Sequence, residues 1–237
     1  MPTTIVAFSG GKDSTALVLR MAELGEAFTC LFTPAHNEPH ELRAHVTAII
    51  ARIDRPLVEP PNRSLMFWIQ KHQALPNFRQ RWCTRQIKIE PCIAYLQSIA
   101  DPVLCVGLRA DEEARTGLYG DYATYRYPLR EWGWREADIW RYLDAQGVTV
   151  PTRTNCRLCY GQRLSEWYEL WRNEPAEYEK GVLLEAQMGH TFRCATRDTW
   201  PAGLAELRAR FEAGDVPRGV EAQQSLFRYE PCRVCQS

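Results

Sequence analysis

The sequence predicts an α/β protein, with a parallel sheet sandwiched by helices over residues 1–150 and a mainly helical, cysteine-containing region over 151–237. Three observations carry this expectation. The run Ile5-Val6-Ala7-Phe8 is followed by Gly10-Gly11 and then Ala16-Leu17-Val18-Leu19, which reads as strand, tight turn and helix. A second short apolar run, Phe28 to Phe32, returns at the spacing of a parallel βαβ crossover. After Pro151 the pattern turns to helical segments with a Cys-x-x-Cys at either end.

Taken in order, residues 3–8 form the first strand and 14–25 the first helix, joined by Ser9-Gly10-Gly11-Lys12-Asp13-Ser14. This turn makes an anion site. Its glycines let the backbone approach a ligand closely, the first N–H groups of the helix point outward, and the helix dipole adds roughly half a positive charge. Lys12 supplies a full charge, and Ser9 and Ser14 supply hydroxyls, so the natural guest is a phosphate or pyrophosphate. A Walker A loop is excluded, because Asp13 follows the lysine and no glycine stands five positions earlier. Ligands of such sheets sit beyond the carboxyl ends of the strands, which puts the loop Thr33 to Asn37 next to the phosphate loop, with Thr33 on the adenosine side.

Residues 38–53 have helical spacing through Leu42, Val46, Ile49 and Ile50, and Pro56 to Glu59 offers a third strand that Pro60-Pro61 stops. A buried helix follows over 64–74. The segment Arg81-Trp82-Cys83-Thr84-Arg85-Gln86-Ile87-Lys88 then opens a helix running to about Ile99, with Thr84, Arg85 and Lys88 on one side. Val103 to Val106 is the clearest later strand, and Arg109, Glu112 and Arg115 follow at its carboxyl end, where an arginine can reach a phosphate. Tyr119, Tyr122, Tyr125 and Tyr127 read as a loop packed on the core, with base stacking as the alternative. A helix over 135–145 carries the apolar stripe Ile139, Trp140 and Leu143, and further helical runs cover 163–172, 175–188 and 200–213.

The composition is that of an ordinary globular protein, 45% hydrophobic and 24% charged. Lys+Arg and Asp+Glu are both 29, so long-range attraction for nucleic acid must come from a local patch or a partner. No run approaches the length of a membrane span and no secretory leader is visible over residues 1–20, which makes the expected location cytoplasmic. Nine cysteines without an export signal argue for metal, thiol chemistry or plain burial rather than a disulfide framework. Cys156-x-x-Cys159 and Cys232-x-x-Cys235 have the spacing of a zinc or iron–sulfur site.

The hexapeptide at 9–14 resembles the PP-loop of the N-type ATP pyrophosphatases, whose SGGxDS motif grips the pyrophosphate of ATP while AMP is transferred. That resemblance implies a Rossmann-like, adenine nucleotide α-hydrolase-like sheet, with ATP and Mg²⁺ as ligands and Ser9, Gly10, Gly11, Lys12, Asp13 and Ser14 as the grip. The string R-x-C-T-x-x-x-K-x-x-P from Arg81, the pattern G-x-R-x-x-E-x-x-R from Gly107, and P-L-x-x-W-x-W from Pro128 are each similar to the phosphoadenosine-phosphosulfate reductase branch. There the last string follows the final core strand. The resemblance gives Arg85, Lys88, Arg109 and Arg115, with Lys12 and Asp13, as expected catalytic residues.

In the bacterial adenosine-phosphosulfate reductases a cysteine pair before this helix and a later C-x-x-C hold a 4Fe–4S cluster. By resemblance Cys83, Cys156 and Cys159 are three ligands, with Cys194, Cys232 or Cys235 open as the fourth and zinc as the alternative metal. Two departures stand out. The reductases generally lack an intact SGGKDS, which this chain keeps, and their E-C-G-I/L-H tail is replaced here by Glu230-Pro231-Cys232-Arg233-Val234-Cys235. Both direct the expectation to an ATP pyrophosphatase that adenylates an oxygen for displacement by sulfur, resembling the enzymes of DNA phosphorothioation. The implied partners are a nucleic-acid acceptor held with a partner protein and a sulfur donor such as a cysteine desulfurase, with a homodimer as one expected assembly. A sulfonucleotide reductase is the enzymatic alternative, and a zinc-stapled ATP-sensing subunit the non-catalytic one.

Overall fold

The structure is a computed structural model that describes residues 2–112 and 120–220. Five parallel strands, β1 (Thr3–Ala7), β2 (Thr29–Leu31), β3 (Leu57–Val58), β4 (Pro102–Cys105) and β5 (Thr124–Arg126), lie in the order β3-β2-β1-β4-β5. The chain therefore winds outward from β1 in one direction, returns to its other side at β4, and leaves a crevice beyond the carboxyl ends of β1 and β4. Alternation along β1 builds a core on both faces. Val6 packs with Leu17, Val18 and Met21 of α1 (Lys12–Glu23), Leu42 and Val46 of α2 (His40–Ile53), and Ile139 and Leu143 of α6 (Glu136–Ala145). Ile5 faces the other way, onto Cys92 and Leu96 of α4 (Glu90–Gln97).

A third core joins α3 (Leu65–His72) to the C-terminal helices α7 (Leu164–Asn173), α8 (Pro175–Met188) and α9 (Leu204–Glu212). Leu65, Ile69 and Ile87 pack there with Trp167, Tyr178 and Phe211, and Ala35 from the loop after β2 joins them. The region after Pro151 thus shares buried surface with the segments flanking the sheet. Among the described residues no helix is long and apolar enough to cross a membrane.

Two local expectations are corrected. The tyrosine-rich run is not all loop: Thr124–Arg126 forms β5, with Tyr125 opposite Leu104, and a four-residue helix α5 (Pro128–Glu131) follows. Three residues are too few to show a period of two, and the polar turn before them hides the edge. The helix expected from Arg81 is instead a π-helical turn over Thr84–Ile89 that continues as α4, with the Glu90 N–H donating to the Arg85 carbonyl. Pro91 supplies a reason: without an N–H it cannot donate to the carbonyl four residues earlier, and the wider turn absorbs the gap.

A half-buried histidine and a buried glutamate make opposite pH demands on this fold. Burial lowers His45, whose Nε2 sits 3.0 Å from the Thr15 hydroxyl, to about 4 from 6.5. Burial raises Glu185, which accepts the N–H groups of Phe192 and Leu204, to about 7 from 4.5. The unfolded chain binds the extra proton at His45 below pH 6.5, so that contribution is lost as pH falls toward 4. At Glu185 the folded chain holds the extra proton, so stability falls as pH rises from 4.5 to 7. The opposing slopes mask each other in the parent. Glu185→Gln is expected to unmask a rise in unfolding free energy with pH of roughly 2 kcal/mol, and His45→Gln a fall of similar size, read from urea titrations across that window.

Candidate phosphate site and cysteine loop

The turn between β1 and α1 is held by its own side chains. The Ser9 N–H donates to Ser14 Oγ at 3.3 Å, and that hydroxyl donates to the Gly11 carbonyl at 3.1 Å. Gly10 has φ +74°, and a Cβ there would stand 2.5 Å from Leu42 Cδ1, so both backbone conformation and space require glycine. Gly11 caps α1 in an extended conformation, and no side chain of the described residues caps the helix. Its first-turn N–H groups therefore face the crevice, as an anion site requires.

The charges around this helix start are tightly paired. Lys12 is completely buried, with Nζ 3.3 Å from Asp13 Oδ2 and 3.5 Å from Glu136 Oε1 at the start of α6. Arg109, just past β4, donates from Nη1 to both oxygens of Asp13 at 3.2 and 3.1 Å, and from Nε to Asp111 at 2.9 Å. Its own N–H donates to Glu112, while Arg130 donates to the Arg109 carbonyl. Burial raises Asp13 despite the opposing pull of Lys12 and Arg109. Burial also works against the Arg109 charge, but Asp13 and Asp111 outweigh it and hold the guanidinium ionised. Gly107 brings β4 against this point: a Cβ there would lie 3.4 Å from the backbone of Asp13 and Ser14.

The other expected site residues fall around this centre. Thr33 is half-buried two residues past β2. Arg85 is exposed on the π-helical turn and pairs with Glu90 at 3.0 Å, and Lys88 is half-buried on the same turn. Arg115, Cys232 and Cys235 lie outside the described residues. Sequence reasoning passed over Glu136, which meets Lys12 across α6, and Asn37, whose importance is geometric. Asn37 is buried in the loop after β2; its carbonyl accepts the Arg157 N–H at 2.7 Å and its Oδ1 the Leu158 N–H at 3.2 Å. Its Nδ2 donates to Glu177 at 2.7 Å, and Glu177 in turn accepts from Lys180. One side chain thereby fixes the Cys156-x-x-Cys159 loop to the sheet.

The cysteines divide by environment. Burial pushes the Cys30, Cys92 and Cys105 thiols up to about 12, and these are core residues. Cys83, Cys156 and Cys159 are half-buried, and Cys83 and Cys156 pack on the helical core. Among the described residues no three histidine, cysteine or acidic side chains come together as a metal-holding group. Cys83, Cys156 and Cys159 do not by themselves make the thiolate cage that an iron–sulfur cluster or zinc needs.

A five-stranded parallel sheet with a glycine-rich anion turn at its switch point defines a nucleotide-binding α/β protein. The sequence profile of the phosphoadenosine phosphosulfate reductase domain matches residues 3–152, and the chain belongs to this family, within the PP-loop ATP pyrophosphatase superfamily. Among solved structures it is similar to the phosphoadenylyl-sulfate reductase of Candida auris in its phosphate complex, at 15% identity and TM-score 0.53, over 63% of this chain and 75% of that one. That likeness shows the shared fold. A predicted tRNA methyltransferase subunit of Methanocaldococcus jannaschii aligns at 15% identity and TM-score 0.37, over 62% of this chain and 90% of that one. The NMN synthetase of Francisella tularensis aligns at 13% and 0.44, over 95% of this chain and 83% of that one. No curated protein matches the chain.

The clamp on the cysteine loop has a measurable consequence. Asn37→Ala strands the Leu158 N–H and one Glu177 oxygen, and is expected to cost about 2–4 kcal/mol of stability. It should also speed alkylation of Cys156 and Cys159 in the native protein, read by mass spectrometry. Unchanged melting and unchanged alkylation would remove Asn37 as the anchor.

Proposed function

We propose that the protein is an ATP pyrophosphatase that adenylates an acceptor oxygen, on nucleic acid, for replacement by sulfur. The observation that carries this reading is the intact grip: Ser9 to Ser14 keep every residue of the pyrophosphate motif, and Lys12 and Arg109 converge on Asp13 at the switch point. The grip belongs to the nucleotide-holding unit, residues 1–150, and the region 151–237 presents the thiols to it.

In this scheme the pyrophosphate of ATP takes the first-turn N–H groups of α1 and the charge of Lys12, and the acceptor oxygen attacks the α-phosphorus. The bond to the β-phosphate oxygen breaks, pyrophosphate leaves, and the acceptor carries AMP. A sulfur nucleophile then forms the new bond to the activated centre and expels AMP. Mg²⁺ would enter with the nucleotide and neutralise charge on its phosphates, while both Asp13 oxygens stay hydrogen-bonded to Arg109. Arg85, Lys88, Arg109 and Arg115 would neutralise charge on the α-phosphate or the acceptor. Cys83, Cys156 and Cys159 are the candidate sulfur relay, with Cys232 and Cys235 as further candidates. A cysteine desulfurase is the expected donor. No step runs through an iron–sulfur cluster.

Family membership favours one second reading, reduction of a sulfonucleotide to sulfite. The two part in one assay. Wild-type protein with Mg²⁺-ATP is expected to release pyrophosphate, and Lys12→Ala to lower kcat by at least about 100-fold, the scale of one lost transition-state donor. Arg85→Ala is expected to raise the KM for the acceptor several-fold with kcat nearly unchanged. Sulfite release from phosphoadenosine phosphosulfate with thioredoxin, without pyrophosphate release from ATP, would assign the reductase instead.

A further inference from the structure

The helical region carries a second place suited to an anion, distinct from the phosphate loop. A cavity of about 970 Å³ opens between the turn at 77–81 and the segment 190–197, and among the described residues no aspartate or glutamate lines it. Four arginines do: Arg79, Arg81, Arg193 and Arg197. Arg193 is a structural member, buried and paired with Asp198 at 2.7 Å. Arg79 and Arg197 differ, because neither meets a carboxylate among the described residues. Arg197 donates to the Gln162 carbonyl at 2.8 Å, and the Arg79 guanidinium lies 5.5 Å from the centre of the Phe78 ring.

Three further observations fit the same ligand. Phe78 is 57% exposed at the cavity mouth, an aromatic face that folding leaves in water beside a cation. Cys194 lines the cavity between Arg193 and Arg197, with Sγ 3.1 Å from the Thr196 hydroxyl. Tyr160 and Gly161 form part of the wall. This stretch of wall follows directly on Cys159, one of the cysteines assigned above to sulfur relay.

We propose that this cavity binds a single-stranded nucleic acid, with Arg79 and Arg197 each neutralising a phosphodiester and an unpaired base stacked on Phe78. A duplex hides its base faces, whereas an exposed ring beside unneutralised cations suits an unpaired strand. A chain whose formal charge is zero needs such a local patch to hold a polyanion at all. The proposal deepens the acceptor named under the proposed function: it rests on that reading for its purpose, and on the cavity for its geometry.

The test is fluorescence anisotropy of the full chain with labelled single-stranded DNA and RNA about 12 nucleotides long, the footprint of an ordinary single-strand site. Arg79→Ala with Arg197→Ala is expected to weaken binding at least tenfold and to flatten the salt dependence by about 1.4 in log–log slope, two contacts' worth. Phe78→Ala should weaken binding about tenfold while sparing that slope. All three side chains are dispensable for the core, and Arg79→Ala alone, at an exposed position, keeps the test valid if Arg197→Ala melts early. Binding unchanged in these variants overturns the proposal, as does full competition by free ATP or phosphoadenosine phosphosulfate through the same residues. Strand binding that depends on Arg79 and Arg197 in a protein releasing no pyrophosphate would keep the site and sink the pyrophosphatase reading. Pyrophosphate release with strand binding indifferent to those arginines would do the reverse.

Discussion

The contact on which the candidate site depends is the pairing of Arg109 with Asp13. It joins the end of β4 to the first turn of α1, two segments far apart in sequence that the β3-β2-β1-β4-β5 order makes neighbours. Each charge keeps a further partner, Asp13 with Lys12 and Arg109 with Asp111, so the pair is the link of a charge network in which losing one member leaves its neighbours with fewer partners in a low-dielectric site. The pair also fixes direction. With Asp13 held toward β4, the helix start of α1 is left open on its other side, and Gly107 gives the room for β4 to come that close. The anion cradle is therefore a product of sheet topology as much as of the glycines.

A second set of ties brings the helical region to the same end of the sheet. The loop after β2 is short of regular structure, yet several of its polar groups are committed. Asn37 holds the Cys156-x-x-Cys159 loop and Glu177 of α8, while Asn62 donates to the carbonyls of Pro34 and Ile87 and so ties the loop to the π-helical turn. Leu65 N–H donates to Ala35, which fixes α3 to the loop as well. These bonds are local and geometric, and together they hold the Cys156-x-x-Cys159 loop and the π-helical turn after Cys83 to the loop that follows β2.

What the sequence made legible follows from how each feature is encoded. Ser9 to Ser14 could be read because a glycine pair after a strand and before a helix has few other physical meanings, and the Gly107-to-Arg109 stretch because an arginine at a strand end in such a sheet is positioned by topology. The strands β1, β2 and β4 showed as apolar runs. Thr124–Arg126 did not, since a three-residue edge strand has no visible period, and the π-helical turn did not, since its cause is the missing N–H of Pro91 rather than any pattern at 84–89. Glu136 and Asn37 were hidden for a different reason. Their partners, Lys12 and the Arg157–Leu158 backbone, are more than 100 residues away, and only the fold brings them together.

On the proposed reading the two carboxylates at Lys12 have unequal fates. Asp13 is half-buried and held by Arg109 through both oxygens, so a phosphate that displaced it would break both of those hydrogen bonds. Glu136 stands at the start of α6 with its side chain 47% exposed and a 3.5 Å contact to Lys12, so it can move into water at small cost. An arriving pyrophosphate then takes the place of Glu136 at Lys12 and leaves the Asp13–Arg109 pair untouched. Because the resting cations are already neutralised, the cradle discriminates at contact, through helix N–H groups and this exchange of one carboxylate for a phosphate, and not through a long-range field. That division matches a chain with no net charge, in which one end of the sheet recognises a nucleotide by geometry and unneutralised arginines elsewhere are left to hold a polyanion.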